Sequence, residues 1–226
     1  MEIKHKNWNE VSIDMYYRIL DITDDDSLSD VEKDLAICAL LCDVPEEDIY
    51  SLSVIEAGEL LDQMRWLAKF DFNQKFKGGA IKIQDEEYWV EVDLHKMTIA
   101  QYIDFQTFYK PDRLREYYGN LLACFIVPKG KKYGEGYDVA ELSRSLRQNL
   151  SIVVANEILF FFLKELQTSI RALQIYLDWL MRRLMRKTQN REKQAQIRAL
   201  MDKIEEMNHL LMVGSVWSRN TVISQK

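Results

Sequence analysis

The sequence predicts a mainly α protein: an N-terminal multi-helix domain with a small β-hairpin, followed by a long C-terminal helical hairpin of coiled-coil type. Three observations carry this. Eight glycines and three prolines in 226 residues are too few for a loop-dominated chain. Helix-opening capping patterns recur through the first 150 residues. A heptad of leucine and isoleucine runs through the last third. With 47% apolar and 29% charged residues the chain can fill a core, which excludes wholesale disorder. The expected organisation is an α-rich domain over residues 1–149 with a hairpin near 80–93, a helical hairpin over 150–214, and a flexible polar tail over 215–226.

The elements follow in order. Residues 12–22 form a helix presenting Ile13, Tyr16, Tyr17, Ile19 and Leu20. Ser29-Asp30-Val31-Glu32 is a capping box opening a helix to about Leu41. Pro45 suits the first turn of a short helix. Ser53-Val54-Ile55-Glu56 repeats the capping device and leads into Leu60, Leu61, Met64 and Leu67 at helical spacing. Gly78-Gly79 ends the helical pattern. Residues 80–84 and 88–93 then read as strands, with Asp85-Glu86-Glu87 between them. Thr98-Ile99-Ala100-Gln101 caps a helix to about 109, and after Pro111 another helix carries Leu114, Tyr118, Leu121, Leu122 and Phe125. A Gly- and Lys-rich loop over 127–137 ends at Asp138, which caps the next helix with Glu141.

The C-terminal pattern is the clearest. Leu159, Leu163, Leu166, Ile170, Leu173, Leu177, Leu180 and Leu184 are spaced 4-3-4-3-4-3-4, a heptad seam that packs lengthwise on a partner helix. A second seam follows at Ile197, Leu200, Ile204, Met207 and Leu211. The 13-residue gap between them is one short of two heptads, which a turn near 187–193 explains, giving an antiparallel hairpin with a basic tip. The alternative is one helix of about 60 residues, roughly 90 Å long. The run Phe160, Phe161, Phe162 is apolar all round, as expected of a central or interfacial helix. With Leu166, Ile170, Leu173, Leu177 and Leu180 it makes the candidate oligomer interface.

No catalytic constellation is legible, so the expectation is a non-enzyme with no cofactor and no metal. Cys38 and Cys42 sit four apart on one helix, but no partnering pair completes a zinc site. Asp24-Asp25-Asp26 lacks the alternating ligands of a calcium loop. The 129–137 loop lacks the strand before it and the Lys-Ser/Thr after it that a phosphate loop needs. Three cysteines are too few for a disulfide framework. The N-terminus lacks a signal-peptide core, and the apolar stretch 150–163 is shorter than the roughly 20 residues of a membrane span. A soluble cytosolic product is expected, with no membrane partner.

Charge is segregated. Residues 1–63 hold 17 acidic and 4 basic residues, a balance of −13 in a chain of −6. Between 182 and 198, Arg182, Arg183, Arg186, Lys187, Arg191, Lys193 and Arg198 face Glu192 alone. Such asymmetry points to oriented assembly or a charged partner. Arg182, Arg183, Arg186 and Arg191 are the candidate contact for an acidic partner, for example the 1–63 region of a neighbouring copy. Nucleic acid is the alternative partner of another class, through phosphate contacts from the basic tip.

Several segments carry a family resemblance. They are Trp8-Asn9-Glu10-Val11-Ser12, Asp34-Leu35-Ala36-Ile37-Cys38-Ala39-Leu40-Leu41 before Pro45-Glu46-Glu47-Asp48-Ile49, and Met97-Thr98-Ile99-Ala100-Gln101-Tyr102-Ile103-Asp104-Phe105. Asn120-Leu121-Leu122-Ala123-Cys124-Phe125 and Asn156-Glu157-Ile158-Leu159-Phe160-Phe161-Phe162 follow. In these the chain resembles, over most of residues 8–163, small proteins from the structural-gene region of tailed bacteriophages infecting Bacteroidetes, crAss-like phages included. Those proteins are described as tail-assembly-chaperone-like or virion-associated. The resemblance implies a non-enzymatic phage protein made in the host bacterial cytoplasm. It would either be retained in the virion, in the tail, at the head–tail junction or as lumenal cargo, or act as a transient tail assembly chaperone. Its partners would be itself, as a homo-oligomer, and other tail, portal or virion proteins. The resemblance transfers no active-site residues.

Overall fold

The computed structural model describes residues 1–69, 78–91 and 96–187, with Phe76, Asp93 and Ala199 as single positions. The protein is mainly helical with a small three-stranded antiparallel sheet. The helices are α1 (Ile13–Thr23), α2 (Asp30–Cys42), α3 (Glu46–Tyr50), α4 (Val54–Gln63), α5 (Ile99–Phe108), α6 (Leu114–Ala123), α7 (Val139–Asn149) and α8 (Ile152–Lys187). The strands are β1 (Gly79–Ile83), β2 (Glu86–Val90) and β3 (Ile126–Pro128). The chain divides into two units, Met1–Val92 with Lys96–Leu159, and Asp93–His95 with Phe160–Lys226.

The helix starts follow local hydrogen bonding. Ser29, Ser53 and Thr98 each accept from the backbone N–H three residues on, while Glu32, Glu56 and Gln101 reach back to the cap N–H. These reciprocal bonds satisfy donors that a helix start leaves open. Ser12 accepts from the Met15 N–H to open α1, and Asp138 accepts from the Ala140 N–H to open α7. α2 ends where Asp43 enters the left-handed region at φ 57, returning its N–H to the Ala39 and Leu40 carbonyls.

In the first unit, α2 is enclosed over its second half: Ala36, Ile37, Cys38, Ala39, Leu40, Leu41 and Cys42 are all buried. The N-terminal segment covers one side, with Ile3 buried and the Lys4 and His5 N–H groups donating to the Leu41 carbonyl. Tyr118, Gly119 and every residue from Leu121 to Val127 are likewise buried, through the end of α6 and into β3, with Asn120 half-buried. α8 begins beside the start of α1. Ser12 and Ser151 form an antiparallel bridge, and the Ile152 N–H donates to the Val11 carbonyl at 2.8 Å. The first turns of α8 then bury Ile152, Ala155, Ile158 and Leu159.

The expected β-hairpin is present but forms two strands of a three-stranded sheet. Its turn is Gln84-Asp85, with Glu86 and Glu87 already in β2, opposite Ile83 and Lys82. A two-residue loop matches the twist of paired strands better than the three-residue loop the sequence suggested, and Gln84 takes up the left-handed conformation it requires at φ 55. The start of the 127–137 loop is corrected as well. Val127 and Pro128 belong to β3, which pairs with β2 in the register Trp89↔Val127 and Val90↔Ile126. β3 puts Pro128, which has no N–H to give, at the end of an edge strand. The first arm of the expected C-terminal hairpin is α8, one uninterrupted helix of 36 residues. The turn at 187–193, the second seam and the tail at 215–226 lie outside the described residues.

α6 and α7 meet at Gly119. A Cβ there would stand 2.6 Å from both the Ser143 carbonyl oxygen and Arg147 Cγ. Gly119→Ala therefore forces the two helices apart, and overpacking of this kind costs about 1–3 kcal/mol. Urea unfolding of G119A is expected to shift to a lower midpoint by that amount. A midpoint equal to that of the parent protein would show that the contact relaxes without loss.

Candidate interaction surfaces

The candidate sites are surfaces, and the two best developed are built on α3–α4 and on α8. Glu46, Glu47 and Asp48 fill the first turn of α3, where carboxylates favour the positive end of a helix. Tyr50, Val54 and Ile55 follow across the three-residue connection and are exposed. Leu60 and Met64 turn inward, so the outer face of α4 continues as Ile55, Glu59 and Asp62. Asp62 pairs with Arg65 at 2.7 Å, and the Glu56 carboxylate is engaged by the N–H and hydroxyl of Ser53, which hold its pKa below the usual range. Among the described residues no cation pairs with the carboxylates of Glu46, Glu47, Asp48 or Glu59. The result is an acidic ridge with large apolar side chains along its crest.

On α8, Ile175, Tyr176 and Trp179 are exposed. The Tyr176 and Trp179 rings lie near parallel with centroids 6.1 Å apart, and the Arg183 guanidinium sits 5.2 Å from the Trp179 centroid. Spacings of three and four place these groups on one helix face. Cation–π contact with tryptophan holds the arginine extended along that face. At about 100° per residue, this stripe lies to one side of the heptad seam rather than on it.

The residues expected to form the oligomer interface are distributed along the same helix. Phe162 is buried, and Phe160, Phe161, Leu177 and Leu180 are half-buried. Leu166, Ile170 and Leu173 lie on α8 at the expected spacing, but their side chains are outside the described set. Of the basic contact residues, Arg183 is exposed, Arg182 and Arg186 lie on α8 with side chains outside the described set, and Arg191 lies outside the described residues. Two features escaped the sequence reading. Val54 and Ile55 pass for the start of an apolar helix face yet stand in solvent, and α5 exposes Ile99, Tyr102 and Ile103 on one side.

Several charged and polar side chains of the described residues hold elements together. Arg147 donates to Asp14 at 2.6 Å and to the carbonyls of Arg115 and Glu116, tying α7 to α1 and α6. Arg115 pairs with Asp21 and lies over the Tyr17 ring. In the 129–137 loop, Lys131 donates to the Gly136 carbonyl at 2.6 Å and Tyr133 to Asp104 at 2.7 Å. Lys129 pairs with Glu87 across the sheet edge. Two of the loop's three lysines are thereby engaged, Lys131 with the loop backbone and Lys129 with β2. Asp25 accepts from the N–H and hydroxyl of Ser27, a local turn. Among the described residues no three His, Cys, Asp or Glu side chains converge as a metal site, and no helix is long and apolar enough to cross a membrane.

All three cysteines are free and buried. Burial pushes the Cys38 thiol up to about 12, with the neighbouring Cys42 adding to the shift, and pushes Cys124 up to about 12. Such thiols stay protonated at neutral pH and are poor nucleophiles and poor metal ligands. Burial also raises Tyr17 to about 12 and lifts Tyr118, whose hydroxyl donates to Asn156.

Comparisons with protein-family models, curated proteins and solved structures gave no match to this chain.

Raised thiol values set the sign of the alkaline response. An unfolded cysteine ionises near pH 8.5, so above that pH the unfolded chain binds fewer protons than the folded one. The stability contributed by buried neutral thiols is complete below about pH 8.5 and declines as pH rises toward 12. Urea midpoints are expected to fall between pH 9 and 11, and to fall less steeply in a Cys38→Ala, Cys124→Ala variant. Equal slopes for the two proteins would remove the thiols as the cause.

Proposed function

We propose that this chain is a non-enzymatic structural or assembly protein of a tailed bacteriophage, retained in the virion and working by oligomeric packing of its long C-terminal helix. The observation that carries the reading is α8, 36 residues of unbroken helix bearing a heptad seam. At 1.5 Å per residue it is about 54 Å long, far longer than the three-turn helices of an ordinary domain. Leu166, Ile170, Leu173, Leu177 and Leu180 lie along one side of it, and a seam of that length requires a partner helix over its whole extent. In this reading residues 150–214 form an antiparallel hairpin with a basic tip, and the hairpins of neighbouring copies pack through residues 160–162 and the seam. The resemblance of several sequence segments to phage structural-region proteins points the same way, as does the structural use made of many of the described charged and nucleophilic side chains.

The second reading, a transient tail assembly chaperone that leaves before the particle is complete, shares the surface and differs in stoichiometry and fate. Nucleic-acid binding is favoured by one observation, the Tyr176–Trp179 pair with Arg183, because aromatic faces beside a cation suit unpaired bases. The net charge of −6 opposes it.

Light scattering over a hundredfold dilution series tests the packing. A stable oligomer of fixed mass is expected, reduced to smaller species by Ile170→Asp or Leu173→Asp. A monomer at every concentration overturns the packing reading. Peptide mapping of gradient-purified particles then separates the two fates: the virion reading expects the chain at many copies per particle, and its absence leaves the chaperone.

A further inference from the structure

We propose that copies of this chain associate head to tail, the α8 stripe Ile175, Trp179 and Arg183 of one copy seating on the α3–α4 ridge Tyr50, Val54 and Ile55 of the next. The inference deepens the self-packing reading above and rests on it. It commits to a second copy as the occupant because the two faces are complementary in both respects that matter.

The first respect is apolar surface. Val54 is 90% exposed, Ile55 76% and Tyr50 56%, three large side chains within six residues. On α8, Ile175 is 67% exposed and Trp179 52%. Single exposed apolar residues are ordinary, but clusters rimmed by charge mark binding surfaces. Tryptophan, tyrosine and arginine are the side chains that dominate interface energetics, and they are the ones present here.

Charge is the second respect. The ridge carries Glu46, Glu47, Asp48 and Glu59 without a described cation partner. The stripe ends on Arg183, and the helix continues with Arg186 and Lys187. Apolar anchors meet at the centre and opposite charges meet at the rim, which is the anatomy of a specific interface. Residues 1–63 balance to −13 while the α8 end is basic, so ridge and stripe of two copies attract and like faces repel. Each copy offers both faces, so repetition of the contact yields a closed ring or an open filament, and a reciprocal exchange of both contacts yields a two-fold dimer. The stripe is also off the heptad seam, so head-to-tail contact and seam packing use different sides of α8.

The test uses two variants of the full chain. One blocks the ridge, Val54→Asp with Ile55→Asp; both sites are exposed, and acidic residues suit the first turn of a helix, so folding is preserved. The other blocks the stripe, Trp179→Ala with Arg183→Glu, again at exposed sites. Far-UV circular dichroism checks that both fold. Each variant alone is expected to lose the higher-mass species in light scattering, with association weakened at least tenfold. Mixing them restores one intact ridge–stripe pair, so the expected product is a discrete step of assembly that does not grow further. Assembly of the unmodified chain should weaken as salt rises from 0.05 to 0.5 M. Unchanged mass in both variants overturns the proposal, as does a mixture that restores nothing. If Ile170→Asp dissociates the oligomer while ridge and stripe variants do not, the head-to-tail contact fails and seam packing stands. A monomeric parent chain fails both. A labelled single-stranded oligonucleotide that binds the parent and the ridge variant but not the stripe variant, with solution mass unaffected by either, assigns the stripe to nucleic acid and overturns the proposal.

Discussion

The backbone contact between α6 and α7 at Gly119 is the constraint from which the rest of the first unit is positioned. Only a residue without a Cβ lets the Ser143 carbonyl come this close, and the space beside it is taken by the stem of Arg147. The guanidinium of Arg147 then reaches Asp14 on α1 and two carbonyls of α6, so one side chain spans three helices. Position passes along the chain from there. α6 runs directly into β3, which supplies the third strand of the sheet, and α7 runs into Ser151, which bridges to Ser12 at the start of α1. The start of α8 is therefore held by the same arrangement that packs α6 on α7.

Two buried polar side chains in this unit, Gln101 and Tyr118, are paired in ways that join elements. Gln101 is buried, caps α5 with its side-chain oxygen, and donates its amide to the Cys124 carbonyl at 3.0 Å. That bond ties the first turn of α5 to the end of α6, where a helix leaves carbonyls unsatisfied. Tyr118 donates to Asn156 and so joins α6 to the first turns of α8. Gln101 thus does two jobs, one local and one between elements.

Charge and apolar surface are then left to the outside, and they are sorted. The acidic residues gather on the short helices α2, α3 and α4, while the arginines gather toward the end of α8. Sorting of this kind destabilises each region slightly through self-repulsion.

Much of the fold was legible because its causes are local. A serine or threonine three residues before a glutamate or glutamine opens a helix through bonds within one turn, and Ser29, Ser53 and Thr98 do so as read. The heptad of α8 was legible because helical periodicity is a property of the chain alone. β3 was not legible: Ile126, Val127 and Pro128 follow a helix without a break in apolar pattern, and they become a strand because the free edge of β2 is beside them. The candidate interface was half legible. The seam announces itself by period and residues 160–162 by being apolar all round, but Val54 and Ile55 have the pattern of a core face and stand in solvent, since what covers an apolar residue depends on elements distant in sequence. The sequence by itself determined the helices, their caps, the seam and the charge split, because each arises within a few turns of one chain. Only the tertiary structure decided the third strand, the glycine contact and which apolar residues remain exposed, because burial and pairing are relations between segments and are set by which surfaces the packed helices leave open.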